Sequence, residues 1–267
     1  MQSLTIGALV RGIRNVKAVF LAWQDPTTRI WYPVGRLTFE GSSYEFVYTH
    51  GAIDAQKQSN FRPLDSFPDF YSVYSSESLF PLFSNRVLPP ARPDYGQFAE
   101  WLNVPLDRDD PIALLARSGG RRATDTLEVL PCPEPDHEGM YRIHFFAHGL
   151  RYLPDCAVER VDQLKPGQQL LMSHDFQNPH DPHALMLRTH DDFPRDRFIV
   201  GYCPRYLLED AFRLLQSCSP QVTVERVNPA PAPLQFRLLC NMTACWPEGF
   251  RPFSTGPYVP LVAIASV

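Results

Sequence analysis

Apolar and polar positions alternate most densely in two stretches of the chain. In the first, residues 5–10, 16–23, 33–39 and 44–48 are rich in β-branched and aromatic side chains. Turn formers separate them, notably Asp25-Pro26 and Gly41-Ser42-Ser43. Such side chains suit a pleated, half-buried surface, so strands are expected, and residues 35–48 are expected to form a hairpin. Its Leu37, Phe39, Tyr44, Phe46 and Tyr48 alternate onto one face. After His50 the pattern changes to short helices. Asp94 and Gln97 have capping-box spacing for a helix carrying Tyr95, Phe98 and Leu102 on one side. Asp110 followed by Pro111 opens another, which Gly119-Gly120 stops after Leu114 and Leu115. Residues 126–130 follow as a closing strand, which makes a small α+β domain.

The second stretch begins beyond a stiff, proline-rich spacer at 131–136. The expected organisation is therefore one domain over 1–135 and another over 136–267. Six strands are predicted at 141–147, 169–172, 184–188, 198–202, 222–227 and 234–244. One helix is predicted between Pro204 and Cys218, where Leu207, Ala211, Leu214 and Leu215 share a face. Six short strands with one helix predict an OB-like six-stranded β-barrel, and the fold class of the whole chain is α+β.

Composition narrows the chemistry. The 27 prolines among 267 residues forbid long helices and confine central strands. A formal charge of −4 argues against bulk electrostatic attachment to DNA. Residues 137–267 carry 12 basic against 13 acidic side chains, so any nucleic-acid affinity there must come from a local pocket. No signal peptide is recognisable at the start, and no apolar run reaches the roughly 18 residues of a membrane span. The six cysteines contain no Cys-x-x-Cys pair and are expected as reduced thiols in a cytoplasmic protein. Cys240 and Cys245 are expected to pack in the core.

Residues 30–131 resemble the N-terminal subdomain of HipA-type toxin kinases. The resemblance runs through Gly35-Arg36-Leu37 to Phe46, Arg62-Pro63-Leu64, Phe67-Pro68, Val87-Leu88-Pro89-Pro90 and Leu114-Leu115-Ala116-Arg117-Ser118-Gly119-Gly120. The kinase itself is missing. The phosphate-gripping loop is absent, and Lys17, Lys57 and Lys165, the only lysines, stand in unrelated contexts. In HipA-like systems this subdomain also occurs as a separate chain that docks on a kinase. The resemblance thus implies a bacterial antitoxin-like partner of a HipA-like kinase, with Leu79, Phe80, Phe83, Leu88 and Tyr95 as candidate docking residues.

The second half resembles a HIRAN domain. Gly149-Leu150-Arg151-Tyr152 follows the first strand. The loop Asp175-Phe176-Gln177-Asn178-Pro179-His180-Asp181-Pro182-His183-Ala184 leads into another, and Val200-Gly201-Tyr202 precedes the helix. The resemblance spans about 140–227 and implies a modified OB barrel. In a helicase-like eukaryotic member that barrel grips the 3′ end of single-stranded DNA. Carried over by position, the DNA-binding residues are Arg151, Tyr152, His180, Asp181 and Tyr202. Asp181 would accept a hydrogen bond from the 3′ hydroxyl, and Tyr152 would stack a base. Leu153 departs from the pattern where the DNA-end binder has a second aromatic, His180 replaces a tyrosine, and Tyr202 replaces a histidine.

His174, Asp175, His180, Asp181 and His183 have ligand chemistry for zinc or manganese. The HIRAN pattern instead explains the loop's Asp and Asn residues as turn formers, so neither metal nor other cofactor is expected. No nucleophile elbow or His-Glu-x-x-His motif is present. Cys203 would need a lowered pKa to act as a nucleophile. The expected protein is a non-catalytic regulator that binds single-stranded DNA and a protein partner. Its alternatives are a DNA-end recognition factor in repair or defence, and a purely protein-binding HIRAN module.

Overall fold

The computed structural model describes residues 18–105, 110–133, 135–136, 138–190 and 197–262. The strand expected at 5–10 lies outside the described residues. Two compact units form, and neither is contiguous in sequence. The first comprises residues up to 96, 105–134 and 251 onward; the second comprises 97–104 and 135–250. Relative to a single cut at 135, a short helical segment and the C-terminal stretch are exchanged. No described helix is long and apolar enough to cross a membrane.

In the first unit, β1 (Ala18–Gln24), β2 (Trp31–Phe39), β3 (Tyr44–Tyr48) and β4 (Tyr74–Ser76) are joined by β5 (Leu127–Cys132). They form an antiparallel sheet in the order β4-β3-β2-β1-β5. The predicted hairpin is present, with Leu37 opposite Phe46 and Phe39 opposite Tyr44. Leu37, Phe46 and Tyr48 are fully buried. The phenol of Tyr48 donates to Phe67 O at 2.8 Å and accepts from Leu64 N at 2.7 Å, which pins the following loop to the sheet. Helix α1 (His50–Ser59) lies so close to β2 that a Cβ on Gly51 would stand 2.1 Å from Pro33 O.

Helix α2 (Pro81–Ser84) and α3 (Tyr95–Trp101) follow. The capping box expected at Asp94 does not form, because both carboxylate oxygens accept from Arg92 at 2.8 and 2.9 Å. Helix α4 (Pro111–Ser118) begins and ends as predicted. Asp110 accepts from Ala113 N at 3.0 Å, and Gly119, at φ 72°, closes the last turn onto Leu115 O. The C-terminal stretch returns to this unit, where Phe253 and Tyr258 pack on Phe20 and Leu261 N donates to Tyr48 O at 2.9 Å.

Phe83 is wholly buried in the aromatic core of this unit, near Phe46, which corrects its assignment as a docking residue. Phe80 packs edge-on to Phe67, and Leu79 lies against the same core. Leu88 and Tyr95 are half-buried. Among the described residues of this unit, the well-exposed large apolar side chains are Ile30, Tyr71, Val73 and Val259, none of which sequence reasoning selected.

The second unit is a six-stranded antiparallel sheet of β6 (Met140–Phe146), β7 (Gln169–His174), β8 (Leu185–Thr189), β9 (Ile199–Tyr202), β10 (Gln221–Val227) and β11 (Leu238–Cys245). Their order is β6-β11-β10-β7-β8-β9. All six predicted strands are present. The two edges meet again where His148, just past β6, pairs with Tyr202 of β9, each N–H donating to the other's carbonyl at 2.9 Å. The sheet therefore curls into a barrel-like form, as the strand spacing predicts.

Two helices accompany it. Helix α6 (Leu208–Ser217) buries Ala211 and Leu214 as expected, but Leu208 is buried in place of Leu215, which is exposed. Helix α5 (Asp155–Asp162) corrects the single-helix expectation. It buries only Ala157 and Val161, too sparse a pattern to announce itself. Cys240 is buried as expected, whereas Cys245 is exposed at the strand end.

Residues 97–104 are bound into this unit by polar contacts. A β-bulge shifts the register between Val224 and Arg226, and Glu225 at the bulge is buried. Its carboxylate contacts His144 Nδ1 and accepts from Asn103 Nδ2 at 2.7 Å. Arg226 reaches Glu100 at 2.5 Å, and Asn228 donates to Trp101 O at 2.9 Å.

Gly201 makes the edge-to-edge approach possible. Its φ is +147°, and a Cβ there would stand 2.7 Å from Ala147 Cβ and 3.2 Å from His148 O. Gly201→Ala is expected to destabilise the second unit by roughly 2–5 kcal/mol through strain and overpacking, read by chemical denaturation.

Candidate nucleic-acid interface

Beyond β6 the chain passes through His148 and turns at Gly149, whose φ of 80° favours glycine and whose open side receives the Tyr202 ring. The 3₁₀ turn Leu150–Tyr152 follows. Leu150 is buried and anchors it, and Tyr152 N donates to Gly149 O at 2.9 Å. The next two side chains therefore face solvent. The Arg151 guanidinium lies over the Tyr152 ring, 4.6 Å from its centroid, and donates to its hydroxyl at 2.5 Å. Tyr152 is 76% exposed.

The loop between β7 and β8 is built by its own Asp and Asn residues. Asp175 accepts from Gln177 N and from Asn178 Nδ2; Asn178 Oδ1 accepts from the backbone N–H groups of His180 and Asp181 at 3.0 and 3.1 Å. Asp181 Oδ1 accepts from His183 N at 3.0 Å, and the His174 Nε2 position lies 2.7 Å from Pro182 O. These bonds occupy the side chains of His174, Asp175 and Asp181 among those with ligand chemistry. Among the described residues no group of three His, Cys, Asp or Glu converges to hold a metal.

Tyr202 connects the turn and the loop. Its ring meets Gly149, and its hydroxyl donates to Asp175 Oδ2 at 3.1 Å. Burial, and then the neighbouring Asp175 carboxylate, push the phenol above its ordinary range, so it stays protonated as a donor at neutral pH. Tyr202 thus ties the turn to the loop.

Asp181 is also engaged. Its Oδ2 accepts from Arg205 Nε at 2.7 Å, and Arg205 reaches His180 O at 3.3 Å. His180 is exposed. The structure therefore groups Arg151 with Tyr152, groups His180 and Asp181 with Arg205, and joins the two groups through Tyr202. Arg205 was missed by sequence reasoning. Its signal was a basic residue directly after Pro204, at the turn that follows the Val-Gly-Tyr strand end.

Cys203, beside this joint, is buried. Desolvation pushes its thiol up to about 12, and it lies 3.6 Å from Met172 Sδ. A thiol held protonated in this way is no nucleophile at neutral pH.

Residues 140–244 match the family model of the HIRAN domain. Among solved structures, the chain is similar to a protein from Lactobacillus plantarum, with 20% identity over 40% of this chain and 97% of that one, at a TM-score of 0.30. It is also similar to the HIRAN domain of human HLTF, with 18% identity over 40% of this chain and 74% of that one, at a TM-score of 0.28. No curated protein matches.

Tyr202→Phe removes the donor that ties the loop to the sheet. A loss of about 0.5–1.5 kcal/mol is expected in the denaturation midpoint, with faster amide exchange at Asn178 and Asp181.

Proposed function

We propose that the second unit recognises single-stranded DNA without transforming it, through the Arg151–Tyr152 turn and the loop that carries Asp181. The observation that carries this reading is the Tyr152 ring, held exposed beneath a guanidinium in the segment that matches the HIRAN family. Every base has a π face, and stacking one on a protein ring is worth about 1–3 kcal/mol. Arg151 covers one face of Tyr152 and leaves the other for the base, while its charge stands ready for the adjoining phosphate.

Asp181 fits end recognition through its remaining acceptor capacity. A carboxylate offers about four lone-pair positions. Arg205 and His183 N occupy two here, and a 3′ hydroxyl would take another. A 3′ phosphate would meet repulsion from the same oxygens. Two guanidinia, on Arg151 and Arg205, set a small electrostatic contribution. The slope of log K against log salt is therefore expected between about −1 and −2.

The wider setting we propose is a non-catalytic regulator that also binds a protein partner through its first unit. What supports an antitoxin-like role beside a HipA-like kinase is the residue pattern over 30–131. Residues 97–104, inside that pattern, fold with the second unit, and the family match lies outside it. The DNA-end reading therefore takes precedence. Failure of the chain to co-purify with a co-expressed kinase encoded beside it would remove the antitoxin setting alone.

Fluorescence anisotropy with short oligonucleotides tests the DNA reading. The wild-type protein should prefer a 3′ hydroxyl to a 3′ phosphate, and Tyr152→Ala should weaken binding by about 1–3 kcal/mol with the fold unchanged. Equal affinity for the two ends would remove end selectivity. Absence of binding would remove the reading.

A further inference from the structure

Phe176 is the most exposed large apolar side chain among the described residues, at 83%. Its position is fixed, because the loop that presents it is cross-braced on both sides. Asp175 before it is bound to Tyr202 and Asn178, and Gln177 after it donates to Asp175. The ring is also backed. His174 lies against it, tilted at 47° with centroids 4.1 Å apart, and the His174 ring stands edge-on to Phe212 of α6 at 5.6 Å. An apolar ring held in solvent beside a braced loop, touched by one neighbouring ring and otherwise exposed, offers π surface for stacking.

We infer that Phe176 is a second base platform of the same site, taking a nucleotide further along the strand than the one on Tyr152. The inference rests on the single-strand reading above. Continuity with the first platform runs through Tyr202: Phe176 adjoins Asp175, Asp175 accepts the Tyr202 hydroxyl, and the Tyr202 ring meets Gly149 at the start of the turn that presents Tyr152. The occupant is indicated by chemistry. The ring carries no polar handle, so it offers π surface without base discrimination. The same loop holds Arg205 through Asp181 and exposes His180 and His183, which supplies donors for a phosphate passing between the rings. The carboxylate of the preceding residue, Asp175, already accepts from Tyr202, Asn178 and the Gln177 N–H. Two rings on separate segments make this a site for a strand of several nucleotides, not for a terminal residue alone.

The test compares a dinucleotide with an octanucleotide, both ending in a 3′ hydroxyl, on wild type, Tyr152→Ala, Phe176→Ala and Phe176→Tyr. Phe176→Ala should leave dinucleotide binding unchanged and weaken octanucleotide binding roughly tenfold, with Phe176→Tyr restoring it. Tyr152→Ala should weaken both. A 2-aminopurine scanned along the octanucleotide should brighten in Phe176→Ala at an internal position and in Tyr152→Ala at the terminal one. Wild-type octanucleotide affinity in Phe176→Ala, with Tyr152→Ala impaired, would overturn this inference and leave the first reading standing. No binding by the wild-type chain would end both.

Discussion

The second unit depends on one backbone exchange, the reciprocal hydrogen bonds between His148 and Tyr202. A six-stranded antiparallel sheet has two raw edges, and this pair brings them together. The exchange requires near-contact between two chains, which only a missing side chain permits. Gly201 supplies that space on one strand, and Gly149 supplies the turn and the seat for a ring on the other. The candidate site is a by-product of this closure. The turn leaves the first strand just after the closing pair, and the phenol of the closing residue reaches the loop that faces it. The same few residues that finish the sheet therefore position the exposed Arg151 and Tyr152.

Burial of charge follows the same economy of parts. Glu225 would be costly inside a sheet without partners. The bulge re-aims it toward His144 and Asn103, so the one irregularity in that ladder also fixes the segment 97–104 against the strands. In the first unit the Tyr48 phenol does comparable service. One buried hydroxyl satisfies an amide and a carbonyl of the loop after α1, at the centre of stacked aromatic rings.

Much of this was legible in the residues. Alternation announced the hairpin at 35–48, and short apolar runs bounded by turns announced the six strands of the second unit, of which β6 and β8 bury alternate residues. Asp110, Pro111 and Gly119 announced both ends of α4, because capping is local chemistry. Asp94 shows the limit of local reasoning: its spacing from Gln97 suits a cap, yet a nearby guanidinium offers the carboxylate a stronger partner. Helix α5 has too few buried positions to show a period, and Phe83 differs from an exposed aromatic only through its surroundings. The candidate pair Arg151 and Tyr152 was picked out by motif order. That Asp181 is held by Arg205, and Tyr202 by Asp175, depends on side chains brought together from distant segments, which no spacing encodes. Phe176 stood in plain view inside the quoted loop, but its exposure is a tertiary fact.

The exchanged segments bear on whether either half can fold without the other. A helix contributed by the stretch before residue 135 completes the second unit, and the stretch after 250 completes the first. A cut at residue 135 would separate each half from its complement, taking Asn103 from Glu225 and the residue 260–261 stretch from Tyr48. The two halves are therefore expected to fold more stably as one polypeptide than as separate products of that cut.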